Sequence, residues 1–131
     1  MGKNPLPIDV RHLQTPTNQR GAEWWLREHA PAEHAVTSAA GMVECATSAE
    51  LAYFGRKQLD ARLDHLEHVE DVCDAIIDEM RKTAPALADM CERYYIKGET
   101  WASIGGDYGM SANKAYGRCA TALRRLRVAT D

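Results

Sequence analysis

The sequence predicts an all-α protein: a long amphipathic helix followed by a group of short C-terminal helices. Three observations carry this. From about Ser48 to Met80, apolar residues recur three to five positions apart, the spacing of a helical stripe. Beyond it, Pro85, Gly98, Thr100, Gly109 and Ser111 stand where helices start and stop. No segment of any length alternates apolar and polar residues as a half-buried strand does.

The elements follow in chain order. Residues 1–20 contain Pro5, Pro7 and Pro16 and few apolar side chains, and are expected to form an extended, mobile arm. Residues 21–30 are a short helical candidate that Pro31 should end. Trp24 and Trp25 are adjacent, so a helix cannot bury both on one stripe; they are left to pack on the long helix that follows or to face a partner. Residues 32–48 are rich in alanine and serine and suit a helix weakened at Gly41.

The long stripe comprises Leu51, Phe54, Leu59, Leu63, Leu66, Val69, Cys73, Ile76, Ile77 and Met80. Leu59, Leu66, Cys73 and Met80 are seven apart, with Val69 and Ile76 as a second seam, which is near the shortest pattern that reads as a coiled coil. A helix of about 30 residues is about 45 Å long, more than a small three-helix domain covers. Two roles are therefore open: packing within its own domain, or a homodimer seam through Leu59, Leu63, Leu66, Val69, Cys73, Ile76, Ile77 and Met80. Residues 21–82 are read as an acidic helical region for oligomerisation or partner binding.

Charge divides the chain in the same place. The 131 residues carry a formal net charge of -3, and 45% of them are hydrophobic and 27% charged, as in an ordinary globular protein. Residues 1–92 hold 9 Lys/Arg against 16 Asp/Glu, whereas residues 93–131 hold 7 against 3. A basic end on an acidic chain points to a binding module for an anionic partner. No apolar run approaches the ~20 residues needed to cross a bilayer, so no membrane partner is expected. The N-terminus lacks a continuous apolar core and does not read as a secretory signal. Cys45, Cys73, Cys91 and Cys119 are scattered without a CxxC pair and are expected to be buried, reduced thiols of a cytoplasmic protein.

Residues 83–131 hold the most informative pattern. Pro85 suits the first position of a helix running to about Lys97, and Gly98 can take the left-handed conformation after it. Thr100 is an N-cap for a short helix ending near Asp107 and Tyr108. Gly109 supplies a tight turn, and Ser111 caps a second helix, expected from Ala112 to about Val128. Its stripe of Ala115, Cys119, Ala122, Leu123 and Leu126 can receive Ile104 and Met110. A short capped helix, a glycine-containing turn and a longer basic helix form the signature of a helix-turn-helix.

The run Thr100-Trp-Ala-Ser-Ile104-Gly-Gly-Asp-Tyr-Gly109-Met-Ser111, continuing to Ala120-Thr-Ala122-Leu123-Arg124-Arg-Leu126-Arg127, resembles the fourth conserved region of bacterial sigma factors. The family reads roughly T-x-x-x-I-G-x-x-x-G-V-S-x-x-x-V-x-x-I-x-x-x-A-L-x-x-L-R, and the match runs without a gap over 28 residues. Arg118 stands where the family has isoleucine. Ala112, Asn113, Lys114, Tyr116 and Gly117 occupy the positions that, by the resemblance, read bases. Those positions usually hold charged or amide residues, so the DNA sequence read should differ from the usual promoter element.

Nothing in the chain looks like the promoter-melting aromatic helices of a complete sigma factor. The long acidic helix before the module is similar to the arrangement in small phage-encoded transcription regulators of the ArpU and RinA-like kind. The resemblance thus implies a sequence-specific DNA-binding regulator of phage or mobile-element origin. Its partners would be double-stranded DNA and RNA polymerase, in the cytoplasm of a bacterial host.

The residues support binding separately. Asn113 has the amide geometry for a bidentate contact to adenine, and Lys114 and Arg118 suit phosphate or guanine. Thr100 and Ser111, at helix N-termini, suit phosphate oxygens. Arg124, Arg125 and Arg127 lie two or more turns later and suit the DNA backbone, or simply offset the helix dipole. For Tyr116, packing on the preceding helix competes with base contact.

His65 and His68, among Asp64, Glu67, Asp71 and Asp74, read as a solvated charged face rather than a metal site. No GxSxG, P-loop or HExxH motif occurs, and no nucleophile has an evident base partner, so neither catalysis nor a cofactor is expected. Two other classes remain in view: a small terminase-like packaging subunit, and a polymerase-binding adapter that does not touch DNA.

Overall fold

The computed structural model describes residues 8–12 and 21–130. It is all-α apart from one minimal sheet. The order is β1 (Ile8–His12), α1 (Ala22–Glu44), α2 (Ala49–Thr83), α3 (Pro85–Cys91), a π-helical turn (Glu92–Ile96), α4 (Trp101–Asp107), α5 (Ala112–Arg124) and β2 (Leu126–Thr130). Among the described residues no helix is long and apolar enough to cross a membrane.

α1 and α2 form an antiparallel hairpin. The Ser48 hydroxyl caps α2 by accepting from the Leu51 amide at 3.1 Å. At 35 residues α2 is the long helix expected, about 52 Å from end to end. α1 departs from expectation, because Pro31 lies inside it and the helix runs unbroken for 23 residues. Proline removes one intrahelical hydrogen bond. Here Leu26 and His29 before it and Ala32 and Ala39 after it are all buried, so packing holds both halves in line. Gly55 brings the two helices close: a Cβ there would stand 3.1 Å from Val43 Cγ2.

The core lies at the base of this hairpin. Val69, Val72, Cys73, Ile76, Ile77 and Met80 of α2 meet Ala22 and Leu26 of α1, Ala88, Met90 and Cys91 of α3, and Tyr95. Ile104 of α4, Ala115, Cys119 and Leu123 of α5, and Leu126 complete the same cluster. The stripe proposed as a dimer seam therefore divides. Val69, Cys73, Ile76, Ile77 and Met80 are buried against the chain's own elements, Leu59 and Leu66 are half-buried, and Leu63 is exposed.

The two strands are the main departure from an all-helical chain. β1 pairs antiparallel with β2, with Val10 opposite Val128 and His12 opposite Leu126. The basic helix consequently stops at Arg124 rather than near Val128, and Arg127 lies on β2. Ile8, Val10 and Val128 pack on the core, and His12 Nε2 lies 3.3 Å from Glu79 Oε1 of α2. The remainder of the expected arm, residues 1–7 and 13–20, lies outside the described residues.

Candidate nucleic-acid interface

α4, the turn after it and α5 form the helix-turn-helix. Thr100 Oγ1 accepts from the Ser103 amide at 3.2 Å, and Ser111 Oγ accepts from the Lys114 amide at 3.1 Å, so both helices start on the expected caps. α4 ends in a Schellman arrangement. Gly109 takes φ +68°, its amide donates to the Gly106 carbonyl at 3.3 Å, and the Met110 amide donates to the Gly105 carbonyl at 2.9 Å. Ile104 is fully buried between the two helices.

Gly105 matches a glycine of the sigma-like pattern, but its role in closing the turn was not legible in the sequence. A Cβ on it would stand 2.6 Å from the Met110 carbonyl oxygen and 3.0 Å from that of Ser111. The turn backbone rests directly on this residue, so the turn closes only over a residue without a side chain. Its signal in the sequence was its place right after the buried Ile104, four residues before the turn glycine.

α3 and the π-helical turn hold α4 at both ends. Arg93 donates from Nε to Glu99 Oε2 at 3.1 Å and from Nη2 to Glu99 Oε1 at 2.8 Å, and Nη2 also reaches Asp107 Oδ2 at 2.5 Å. Glu99 immediately precedes the Thr100 cap, and Asp107 is the last residue of α4. The hydrogen bonds from Arg93 hold the Glu99 carboxyl below its ordinary value. Tyr108 donates its hydroxyl to Asp89 of α3, and that bond raises the phenol's pKa.

An aromatic group joins the same parts. Trp101 stacks on Tyr94 at 4.4 Å between ring centroids and meets Tyr116 edge-on at 5.8 Å. Tyr116 thus packs on the preceding helix while staying partly exposed.

Six of the remaining predicted contact residues, joined by Thr121, share one face. Helical geometry places Asn113, Lys114, Gly117, Arg118, Thr121, Arg124 and Arg125 on a strip opposite the buried Ala115, Cys119 and Leu123, and all seven are exposed. Thr100 and Ser111 are exposed, and Ala112 is half-buried. α5 contains no acidic residue, and among the described residues Lys114, Arg118, Arg124 and Arg125 have no acidic partner. The bases nearby differ: Arg81 pairs with Asp78 and Glu92, Lys82 with Glu79, and Arg93 with Glu99 and Asp107.

Beside the strip runs a groove of about 830 Å³ between α3 and α5. Leu87, Met90 and Met110 supply its apolar surface, and Lys114, Arg118 and Arg125 line its basic side.

The other singled-out residues lie elsewhere. Trp25 packs edge-on to His68 at 5.4 Å, while Trp24 is turned outward, 37% exposed. His65 Nε2 lies 3.7 Å from Glu28 Oε1, so both histidines of α2 serve the contact with α1. Cys73, Cys91 and Cys119 are buried free thiols, but Cys45 is exposed, because it caps the end of α1 at the hairpin tip.

No family model, curated protein or solved structure matches the chain.

Proposed function

We propose that this protein is a sequence-specific, double-stranded-DNA-binding transcription regulator that sets α5 in the major groove. The observation that carries the reading is the exposed α5 strip. Four bases with no acidic partner among the described residues stand on the second helix of a capped helix-turn-helix or at its C-cap, and that helix enters the groove in proteins of this architecture. Asn113 and Lys114, in the first turn, face base edges. Arg118 and Arg125 take phosphates, as does Arg124 at the far end. Gly117 lets the groove wall approach the helix backbone. The Thr100 and Ser111 hydroxyls each accept from an amide of their own helix and keep an O–H to donate to phosphate. The likeness to sigma region four supports the transcriptional role, a phage or mobile-element origin, and RNA polymerase as a second partner.

The groove beside α5 favours one other reading. Its apolar surface and basic side fit an acidic, amphipathic protein segment, as in an adapter that binds polymerase and never touches DNA.

A salt series of gel shifts on duplex DNA separates the two. Each phosphate neutralised adds about 0.9 to the slope of log affinity against log salt, so three or four contacts give a slope near -3. Absence of any duplex binding at low salt would favour the adapter.

A further inference from the structure

The half of the hairpin away from the core is thin. In residues 33–68 of α1 and α2, the only buried residues are Ala39 and Gly55. Yet this stretch carries the most exposed large apolar side chains among the described residues: Met42, Leu51, Tyr53 and Phe54, each more than half exposed. Single exposed apolar residues are ordinary, but Tyr53 and Phe54 touch edge-on and Leu51 lies about 60° around the helix from Phe54, so together they make a patch. Two helices joined along one seam also lack the second layer that secondary structure normally needs to bury its apolar faces.

The charges around the patch indicate what covers it. Glu44 and Glu50 lie at the tip, and Arg56 and Lys57 lie one to two turns back, so the patch is neutral overall. A neutral patch selects neither nucleic acid nor an acidic peptide. Its order is also palindromic in sign. Glu50, Tyr53, Phe54 and Lys57 fall within about 100° of one helical face, outside the seam made by Ala52, Gly55 and Leu59. Measured from the midpoint between Tyr53 and Phe54, Glu50 and Lys57 are equally distant and opposite in charge. Lys57 Nζ already lies over the Tyr53 ring, 5.0 Å from its centroid, and the Tyr53 and Phe54 rings meet edge-on at 5.8 Å.

We infer that this face is where two copies of the chain meet, their α2 helices antiparallel about a two-fold axis at the Tyr53–Phe54 midpoint. That axis sets each Tyr53 on the partner's Phe54 and each Glu50 against the partner's Lys57, the self-complementarity an isologous interface requires. The two hairpins then form a four-helix arrangement, and each thin seam gains its second layer. The contact differs from the heptad seam of the sequence reading, most of which is buried within the chain.

The inference does not depend on DNA binding, and its test uses none. Sedimentation of the full chain over a wide concentration range should give twice the 14.6 kDa monomer mass. Glu50→Lys and Lys57→Glu, each made singly, set like charges together twice per dimer and should each raise the dimer dissociation constant about tenfold. Mixing the two variants should restore association, because the mixed dimer has opposite charges at both pairs. A monomer at every concentration, a ring of many copies, or a dimer indifferent to both reversals would overturn the inference.

Discussion

Gly105 and Met110 meet backbone to backbone: the Met110 amide donates to the Gly105 carbonyl at 2.9 Å, and a Cβ on residue 105 would stand 2.6 Å from the Met110 carbonyl oxygen. This contact fixes the turn that aims α5. Gly105→Ala should therefore cost about 1–3 kcal/mol, since rigid backbone atoms have to move. Gly106→Ala, one position on, meets nothing within 4 Å in a helix and should be neutral or stabilising by up to about 1 kcal/mol. Urea unfolding of both variants checks this, and the reverse order of stability would refute the turn geometry.

Ile104 is fully buried among α4, α5 and the core. Ile104→Asp puts an uncompensated charge there and should destabilise by at least about 3 kcal/mol. A thermal melt matching the unsubstituted chain would show that this side chain is not in the core.

Asn113 and Lys114 are exposed at the start of α5, and the cap uses only the Lys114 backbone amide. Asn113→Ala and Lys114→Ala should each weaken specific DNA binding by about 1–3 kcal/mol while leaving the melting temperature unchanged. Titration of labelled duplex beside a melt of each variant tests both halves of the statement.

The Arg93–Glu99 pair makes a signed pH prediction. Arg93 holds the Glu99 carboxyl below the ordinary 4.5, so the folded chain binds fewer protons there than the unfolded chain. The pair's contribution is present above the unfolded value and is lost as pH falls from about 4.5 through the lowered folded value. Unfolding free energy measured against pH should fall less steeply there for Glu99→Gln than for the unsubstituted chain. Identical acid limbs would show that the pair contributes nothing.

Thiol labelling checks the burial pattern. Of the four cysteines, only Cys45 is exposed, and burial pushes the Cys73 thiol up to about 12. A thiol reagent should titrate one group rapidly in the native protein and all four after unfolding.

Local rules carried most of the fold. Ser48, Pro85, Gly98, Thr100, Gly109 and Ser111 mark element ends because caps and turns depend on a few adjacent residues. The sheet was hidden for the opposite reason. Ile8 and Val10, and Leu126 and Val128, do alternate with polar neighbours, but each strand is only 5 residues long and finds its partner at the other end of the chain. Pro31 misled because the penalty of one proline is local, whereas the packing that overrides it lies on α2. The heptad spacing of α2 could not say which copy's surface it faces. The exposed strip of α5 was legible because its bases and its buried stripe share one helical period, whereas Gly105 stood in the sequence only as a matched glycine and its reason came from the turn lying on it.

α5 is proposed to read a DNA sequence. Selection of bound duplexes from a random pool, sequenced after several rounds, tests it most directly. Enrichment of a defined motif is expected with the unsubstituted chain, and loss of that motif with Asn113→Ala and Lys114→Ala. A pool that stays random after selection with the folded, unsubstituted chain would contradict it.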